Sequence, residues 1–326
     1  NLTEKFLDEG LKIRTGIAFW NRNKIGTISF NRLPGPHKYI LAIPQWRTES
    51  ILSDKVRTLD PDSLIRGAEV KNIVQGRENV EVSYQINGET RSVISRFAVG
   101  CDGKSGFIRD ALEIPFRGKP YPDTYIMGDY TDNTSFGEDA AVFLHEEGLI
   151  ECFPLPDGRR RWVAKTDEYI RTPHRRDLDS LIESRLNHSI QDCQNSMISS
   201  FGVQHLLADS FYTGRCLIAG DAAHVVSPIG GQGMNLGWLD AEAAFHTLRE
   251  SLNSEDHYQD LFKKYSEKQR KIASHVARRA ELNMHLGRKE TSGPLYKAMV
   301  KLMLRRPFSG IFAKMFTMQG LGKWPL

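Results

Sequence analysis

Residues 217–235 read Leu-Ile-Ala-Gly-Asp-Ala-Ala-His-Val-Val-Ser-Pro-Ile-Gly-Gly-Gln-Gly-Met-Asn. Leu217, Ile218 and Ala219 have the character of a buried strand end. Gly220-Asp221 turns the chain, and Pro228 to Gly233 forms a glycine-rich loop. A helix is predicted to open near Gln232, because Leu236, Leu239, Ala243 and Leu248 recur at roughly helical spacing. Strand, acid, glycine loop and helix N-terminus in that order suit a ligand with an anionic or electron-rich edge. Glycines let backbone N–H groups come close, and the unpaired N–H groups of a helix start favour negative charge.

A similar unit lies upstream. Arg96-Phe97-Ala98-Val99-Gly100-Cys101-Asp102-Gly103 ends a short strand, and Phe107 to Leu112 begins a helix. An Asp-Gly turn alone is ordinary punctuation. Its weight comes from standing upstream of the longer stretch in the right order.

Together the two stretches resemble the flavin motifs of the FAD-dependent aromatic hydroxylases, the para-hydroxybenzoate hydroxylase-like class A flavoprotein monooxygenases. The downstream match fixes Gly220, Asp221, Ala222, His224, Pro228, Gly230, Gly233 and Asn235 at once. The resemblance implies that Asp221 holds the ribityl and pyrophosphate region, while Asp102 touches the ribose and Arg109 closes its helix start. The helix N-terminus would face the pyrimidine edge of the flavin. The family usually has a Ser three residues after the Gly of the upstream motif; here that place is Gly106, with Ser105 one residue earlier. Ile43-Pro44-Gln45-Trp46-Arg47-Thr48 resembles a third segment, whose Gln contacts the cofactor, and Arg47 beside it can reach phosphate. The implied cofactor set is Gln45, Arg47, Asp102, Gly103, Gly220, Asp221, Pro228, Gly230, Gly231, Gly233, Met234 and Asn235. No metal is implied.

A complete enzyme of this kind opens with a strand, Gly-x-Gly-x-x-Gly and a helix. No such fingerprint occurs between Asn1 and Gln45; Asn1 to Gly10 reads instead as a helix tail running into Gly10. The expectation is a chain that carries the flavin-facing and substrate-facing parts without the main pyrophosphate cradle.

The remaining pattern fits that reading. A hairpin is expected over 16–30 and a helix over 48–59, followed by three strands with Asn87-Gly88 as a two-residue turn. Four runs between Tyr125 and Lys165 alternate like an antiparallel meander, followed by a helix over 176–187 and a strand over 197–205. The fold class is α/β: a Rossmann-like FAD-binding domain, incomplete at its start, interleaved with an antiparallel substrate-binding sheet and ending in helices. The segments are 1–115 (partial FAD domain with early substrate strands), 116–205 (substrate sheet and helix), 206–250 (the FAD domain's return) and 251–326 (C-terminal helices).

Composition is ordinary for a globular protein, with 40% hydrophobic and 26% charged residues. A net charge of +4 gives no case for nucleic acid. Arg159-Arg160-Arg161, beside the Pro156-Asp157-Gly158 turn, reads as solvated turn and strand residues. The four cysteines have no metal spacing; Cys101 and Cys216 read as small core residues, and a reducing, cytoplasmic setting fits.

No hydrolase elbow, P-loop or metal set is present, so the chemistry belongs to the cofactor. The resemblance implies that NAD(P)H reduces the flavin, oxygen adds at its C4a carbon, and the hydroperoxide oxidises a small aromatic substrate. Phe143, Phe153, Trp162, Phe201 and Trp238 are candidate substrate walls, though core packing explains each. No general base is identifiable; His145, His205 and Tyr130 read better as structural or surface groups. A flavin-dependent reductase or epoxidase of the same superfamily stays open, as does a binding chain that never turns over. Lys297, Lys301, Arg305 and Arg306 border an apolar face of Leu295, Met299, Leu302, Met303, Leu304, Phe308, Ile311 and Phe312. Packing on the chain's own core is the first reading of that face. A homodimer contact comes next, and a membrane surface last, because Pro307 and Gly310 interrupt the helix.

Overall fold

The structure is a computed structural model that describes residues 1–227, 231–254, 257–286, 294–305 and 309–317. The fold is mixed α/β, in two compact units. The first comprises Asn1–Leu64, Pro122–Gly202 and Asn283–Gly320; the second comprises Ile65–Tyr121, Val203–Leu282 and Leu321–Leu326.

The chain opens with α1 (Leu2–Glu9), capped by the Asn1 side chain on the Thr3 N–H and closed where Gly10 donates to Phe6 O. Next come β1 (Leu11–Ile13), β2 (Thr15–Trp20), β3 (Asn23–Ser29), β4 (Ile40–Ala42) and α2 (Gln45–Leu59). Pro44 stands at the N-cap of α2, so the helix begins three residues before the apolar period suggests. β5 (Glu69–Gln75), β6 (Val80–Ile86) and β7 (Glu89–Ser95) form an antiparallel sheet of their own. Asn87 and Gly88 both have positive φ, as a two-residue hairpin turn requires. β8 (Ala98–Gly100) and the short α3 (Phe107–Ala111) follow.

β9 (Phe116–Thr131) begins in the second unit and ends in the first. There it is joined by β10 (Ala140–Leu144), β11 (Ile150–Leu155) and β12 (Arg159–Thr166), then α4 (Arg175–Leu186). β13 (Asn195–Ala208) returns the chain to the second unit. That unit adds β14 (Tyr212–Thr213), β15 (Cys216–Ile218), a 3-10 turn (Gly220–Ala222), β16 (His224–Val225), α5 (Gln232–Asn253) and most of α6 (Tyr258–Leu286). α7 (Pro294–Met303) and α8 (Ser309–Phe316) end the described chain.

In the first unit the strand order is β13-β9-β12-β11-β10-β2-β3. This corrects the expected meander: β9 lies beside β12 rather than β10, and β10 pairs parallel with β2. Alternation says which face a residue takes but not which strand it sits beside. One face carries Ile126, Ala141, Phe143, Ile150, Cys152, Trp162 and Ala164, packed under Leu178, Ile182 and Leu186 of α4. Phe143 and Trp162, candidate substrate walls that core packing also explains, are core, with rings stacked at 6.5 Å. The opposite face carries Ala140 and Phe153, which pack with Ile13, Phe30, Leu33 and Ala313.

Three further expectations change. Arg160 is fully buried, bonded to Asp132, Asp139 O and Gly137 O, because its side chain points into the core side of β12 rather than to solvent. Cys101 is exposed, since it falls one residue beyond β8; Cys216 is buried as expected. On α7, Met299 and Leu302 are exposed, while Leu304, just past the helix, packs close to Gly26. The side chains of Leu295, Arg306, Phe308, Ile311 and Phe312 lie outside the described residues.

Candidate cofactor site

In the second unit, β8 and β15 lie side by side and parallel, with Gly100 opposite Ile218. The pairing runs one step further, because Ala219 N donates to Gly100 O at 3.0 Å. Both strands therefore end together, and each delivers an aspartate just past its end: Asp102 from β8 and Asp221 from β15. The carboxyl ends of adjacent parallel strands are where α/β sheets place ligands, since the strands diverge there into loops.

Three side chains fix these loops. Asp240 of α5, fully buried, accepts from Gly220 N at 3.0 Å and is hydrogen-bonded to His224 Nε2. Gly237, one turn earlier on α5, lies close to Gly220; a Cβ there would stand 3.5 Å from its Cα. Arg109, also buried, donates to Lys104 O at 2.9 Å and to Ala222 O at 3.4 Å, with its guanidinium 4.0 Å over the Phe116 ring. It stitches the upstream turn to the downstream one. Tyr265 of α6 donates to Ile218 O at 3.0 Å, and burial, with Asp240 second, pushes its hydroxyl pKa up.

Asp102 has a local task. Its Oδ2 accepts the Ile108 N–H at 2.8 Å, which caps the first turn of α3. Gly106 occupies the N-cap and has no side chain to do so; a Cβ there would collide with the Asp102 carboxylate. Capping has moved from the N-cap residue to the aspartate, and this explains Gly where the family usually has Ser.

Asp221 is exposed and makes no hydrogen bond or ion pair among the described residues. Gly103, Gly220 and Gly231 all have positive φ, and a Cβ on any of them would meet nothing within 4 Å. Their backbone faces open space, so packing does not account for these glycines. Gly231 is the left-handed N-cap of α5 and offers no capping side chain. Asn235 donates to Gly231 O at 2.9 Å, steadying the turn; Gly233 lies against Val226, and Met234 is 45% exposed. Pro228 and Gly230 lie outside the described residues.

Gln45 and Arg47 stand on α2 of the first unit. Gln45 donates to Glu49 Oε1 at 2.9 Å, and Arg47 forms a two-pronged ion pair with Glu9. Glu9 and Arg47 line a groove together with Lys12, Arg14, Trp46 and Glu138. Sequence reading missed Asp240. Its signal was a lone acid on the helical face of Leu236 and Ala244, both of which are buried.

Residues 2–280 match the family described as FAD binding domain, and the chain belongs to that family. It is 31% identical over 249 residues to an uncharacterized aromatic compound monooxygenase, YhjG, of Bacillus subtilis (strain 168), covering 74% of this chain and 48% of that protein. It is 28% identical over 247 residues to a rifampicin monooxygenase of Streptomyces venezuelae, covering 74% and 50%. The chain spans about half the length of these curated relatives. Among solved structures, p-nitrophenol 4-monooxygenase PnpA from Pseudomonas putida DLL-E4 superposes with a TM-score of 0.86 at 18% identity, over 99% of this chain and 84% of that one. CabE, an aromatic hydroxylase from angucycline biosynthesis, gives 0.78 at 23% identity over 98% and 65%. At such identities these likenesses speak for the fold alone.

FAD is the cofactor of this family, and the residues described suit it. Open glycine backbone, a helix start without a capping side chain, and a carboxylate with no partner among the described residues match the phosphate, flavin and hydroxyl groups of a dinucleotide. Among the described residues no His, Cys, Asp and Glu cluster is placed to hold a metal ion, and no helix is long and apolar enough to cross a membrane.

Proposed function

We propose that this chain forms the flavin-facing and substrate-facing parts of an FAD-dependent monooxygenase that uses NAD(P)H and oxygen to hydroxylate a small aromatic substrate. The observation that carries the reading is the delivery of Asp102 and Asp221 from the ends of two adjacent parallel strands, with α5 tied through Asp240 to the turn after the second. The named activities of the relatives supply the substrate class. A reducing compartment suits the four free thiols.

Bound FAD would supply electron transfer and oxygen activation. Asp221 would accept hydrogen bonds from ribityl or phosphate-linked hydroxyls, and Asp102 would offer its second oxygen to the ribose. The positive end of the α5 dipole would stabilise negative charge on the flavin's pyrimidine edge. Gly231 keeps that approach clear of side chains.

The test is to add FAD, remove the excess by gel filtration and record the visible spectrum, then follow NAD(P)H oxidation and oxygen uptake with phenols. Bound flavin, with oxygen consumed in step with NAD(P)H, is expected. Bound flavin without oxygen uptake would replace the hydroxylase with a reductase. A colourless chain would remove the cofactor reading.

A further inference from the structure

β11 lies in the run Leu149-Ile150-Glu151-Cys152-Phe153-Pro154-Leu155, whose one charge is Glu151. Ile150 and Cys152 point into the core under α4, so strand alternation turns Glu151 to the opposite face, the side of Phe153. Glu151 is only 9% exposed, yet its carboxylate makes no hydrogen bond or ion pair among the described residues. Burial alone pushes its pKa up to about 7. A buried carboxylate without partners is costly, and folding gains nothing from it.

The neighbours say what it could bind. Directly across the ladder stand Val142 on β10 and Val163 on β12. The diagonal neighbours on β12 are cations, but both are taken. Arg161 grips Asp129 through two bonds of 2.7 and 2.9 Å, and Lys165 bonds Asp123 at 2.8 Å. On β10 the diagonal neighbours, Ala140 and Leu144, carry no charge. β1 and β4 also approach β11, and their one charge, Lys12, alternates away from Leu11 and Ile13, which join the cluster on this face. Glu151 therefore sits in an apolar strip beside a neutralised row of ion pairs. The apolar strip offers no second acceptor for the remaining N–H bonds of a bound ammonium ion, which disfavours an amine as its partner. A neutral donor that can surrender its proton suits it best.

We propose that Glu151 is the substrate-binding base of this chain: its carboxylate accepts the hydrogen bond, and then the proton, of an aromatic hydroxyl. The phenolic O–H bond breaks and an O–H bond forms on Glu151, while the electron pair stays on the phenolic oxygen. The pair's total charge is unchanged, so the transfer suits a dry, apolar strip. The phenolate ring becomes more electron-rich and more readily oxidised. This assignment rests on the monooxygenase reading above, and its matched carboxyl pKa favours transfer near neutral pH.

The test uses the full 326-residue chain with added FAD and 4-fluorophenol, followed by fluorine NMR. In water this phenol stays protonated across the neutral range, so any pH dependence of its binding belongs to the protein. Affinity is expected to rise at least tenfold between pH 5.5 and 8.5. Glu151→Gln should lose that rise and bind at least tenfold more weakly at pH 8.5, while fluorobenzene binds both chains alike. Glu151→Asp, which keeps the charge on a shorter arm, should restore the pH dependence with reduced affinity. Equal binding of 4-fluorophenol by wild type and Glu151→Gln overturns the assignment, as does its failure to bind wild type. Flavin fluorescence on the same samples separates the two readings. FAD bound without a Glu151 effect sinks only this inference; a Glu151 effect without FAD sinks only the cofactor reading.

Discussion

Asp240 accepts the backbone N–H of Gly220 at 3.0 Å across twenty residues of sequence, and the same oxygen bonds His224. The fully buried carboxylate thus sets where the downstream motif turns. Asp240→Ala leaves a buried N–H and a buried imidazole nitrogen without an acceptor. The expected loss is roughly 3 kcal/mol of unfolding free energy, measured by urea denaturation. A loss under about 0.5 kcal/mol would mean that water or a rearranged His224 replaces it.

Asp221 and Asp102 should separate in their effects. Asp221 has no protein partner among the described residues, so Asp221→Ala should leave the melting temperature unchanged while weakening FAD retention. Asp102 caps α3, so Asp102→Ala should cost about 1 kcal/mol as well as weakening FAD. Thermal melts paired with flavin fluorescence check both. Unchanged FAD occupancy in Asp221→Ala argues against its role.

Arg109→Lys keeps the charge but loses the planar fork that reaches Lys104 O and Ala222 O and covers Phe116. A drop of about 2 kcal/mol in stability is expected, with weaker FAD binding because both turns are loosened together. Full FAD affinity in a destabilised Arg109→Lys chain would separate the stitch from the site.

Glu151 predicts a pH-dependent difference in stability. Its carboxyl rises from an ordinary 4.5 to about 7 on folding, so between these values the folded chain holds a proton that the unfolded chain has released. Stability from this group is complete below 4.5 and is lost as pH rises through 7. Glu151→Gln removes the dependence. The variant should match wild type at pH 4.5 and exceed it by about 3 kcal/mol at pH 8.5. Parallel stability curves across that range would show that the carboxyl is hydrated in the folded chain.

Local chemistry was the legible part of the sequence. Asn87-Gly88 and Asp157-Gly158 announce their turns through the positive φ they adopt, and Gly10 ends α1 where the pattern says. The strand-acid-helix order made both motifs readable because each lies within one short segment. Sheet partners were not legible. β9 extends back through Pro120 and Pro122, residues that read as breaks, and β2 joins β10 from more than a hundred residues away. Arg160 looked like one of three surface arginines because its buried acceptors, Gly137 O and Asp139 O, are backbone atoms. Glu151 was visible as one charge in an apolar run, but its lack of a partner is a fact of three dimensions.

Gly106 and Asp102 share one volume, so neither position can drift alone. A serine at 106 would regain its own cap but evict the aspartate from the place it now holds, freeing that carboxylate to swing toward a ligand. The chain has traded the mobility of an acid for its rigidity. Across relatives the two positions should therefore be inherited as a pair, with glycine accompanying an aspartate tied to its helix and serine accompanying one left free.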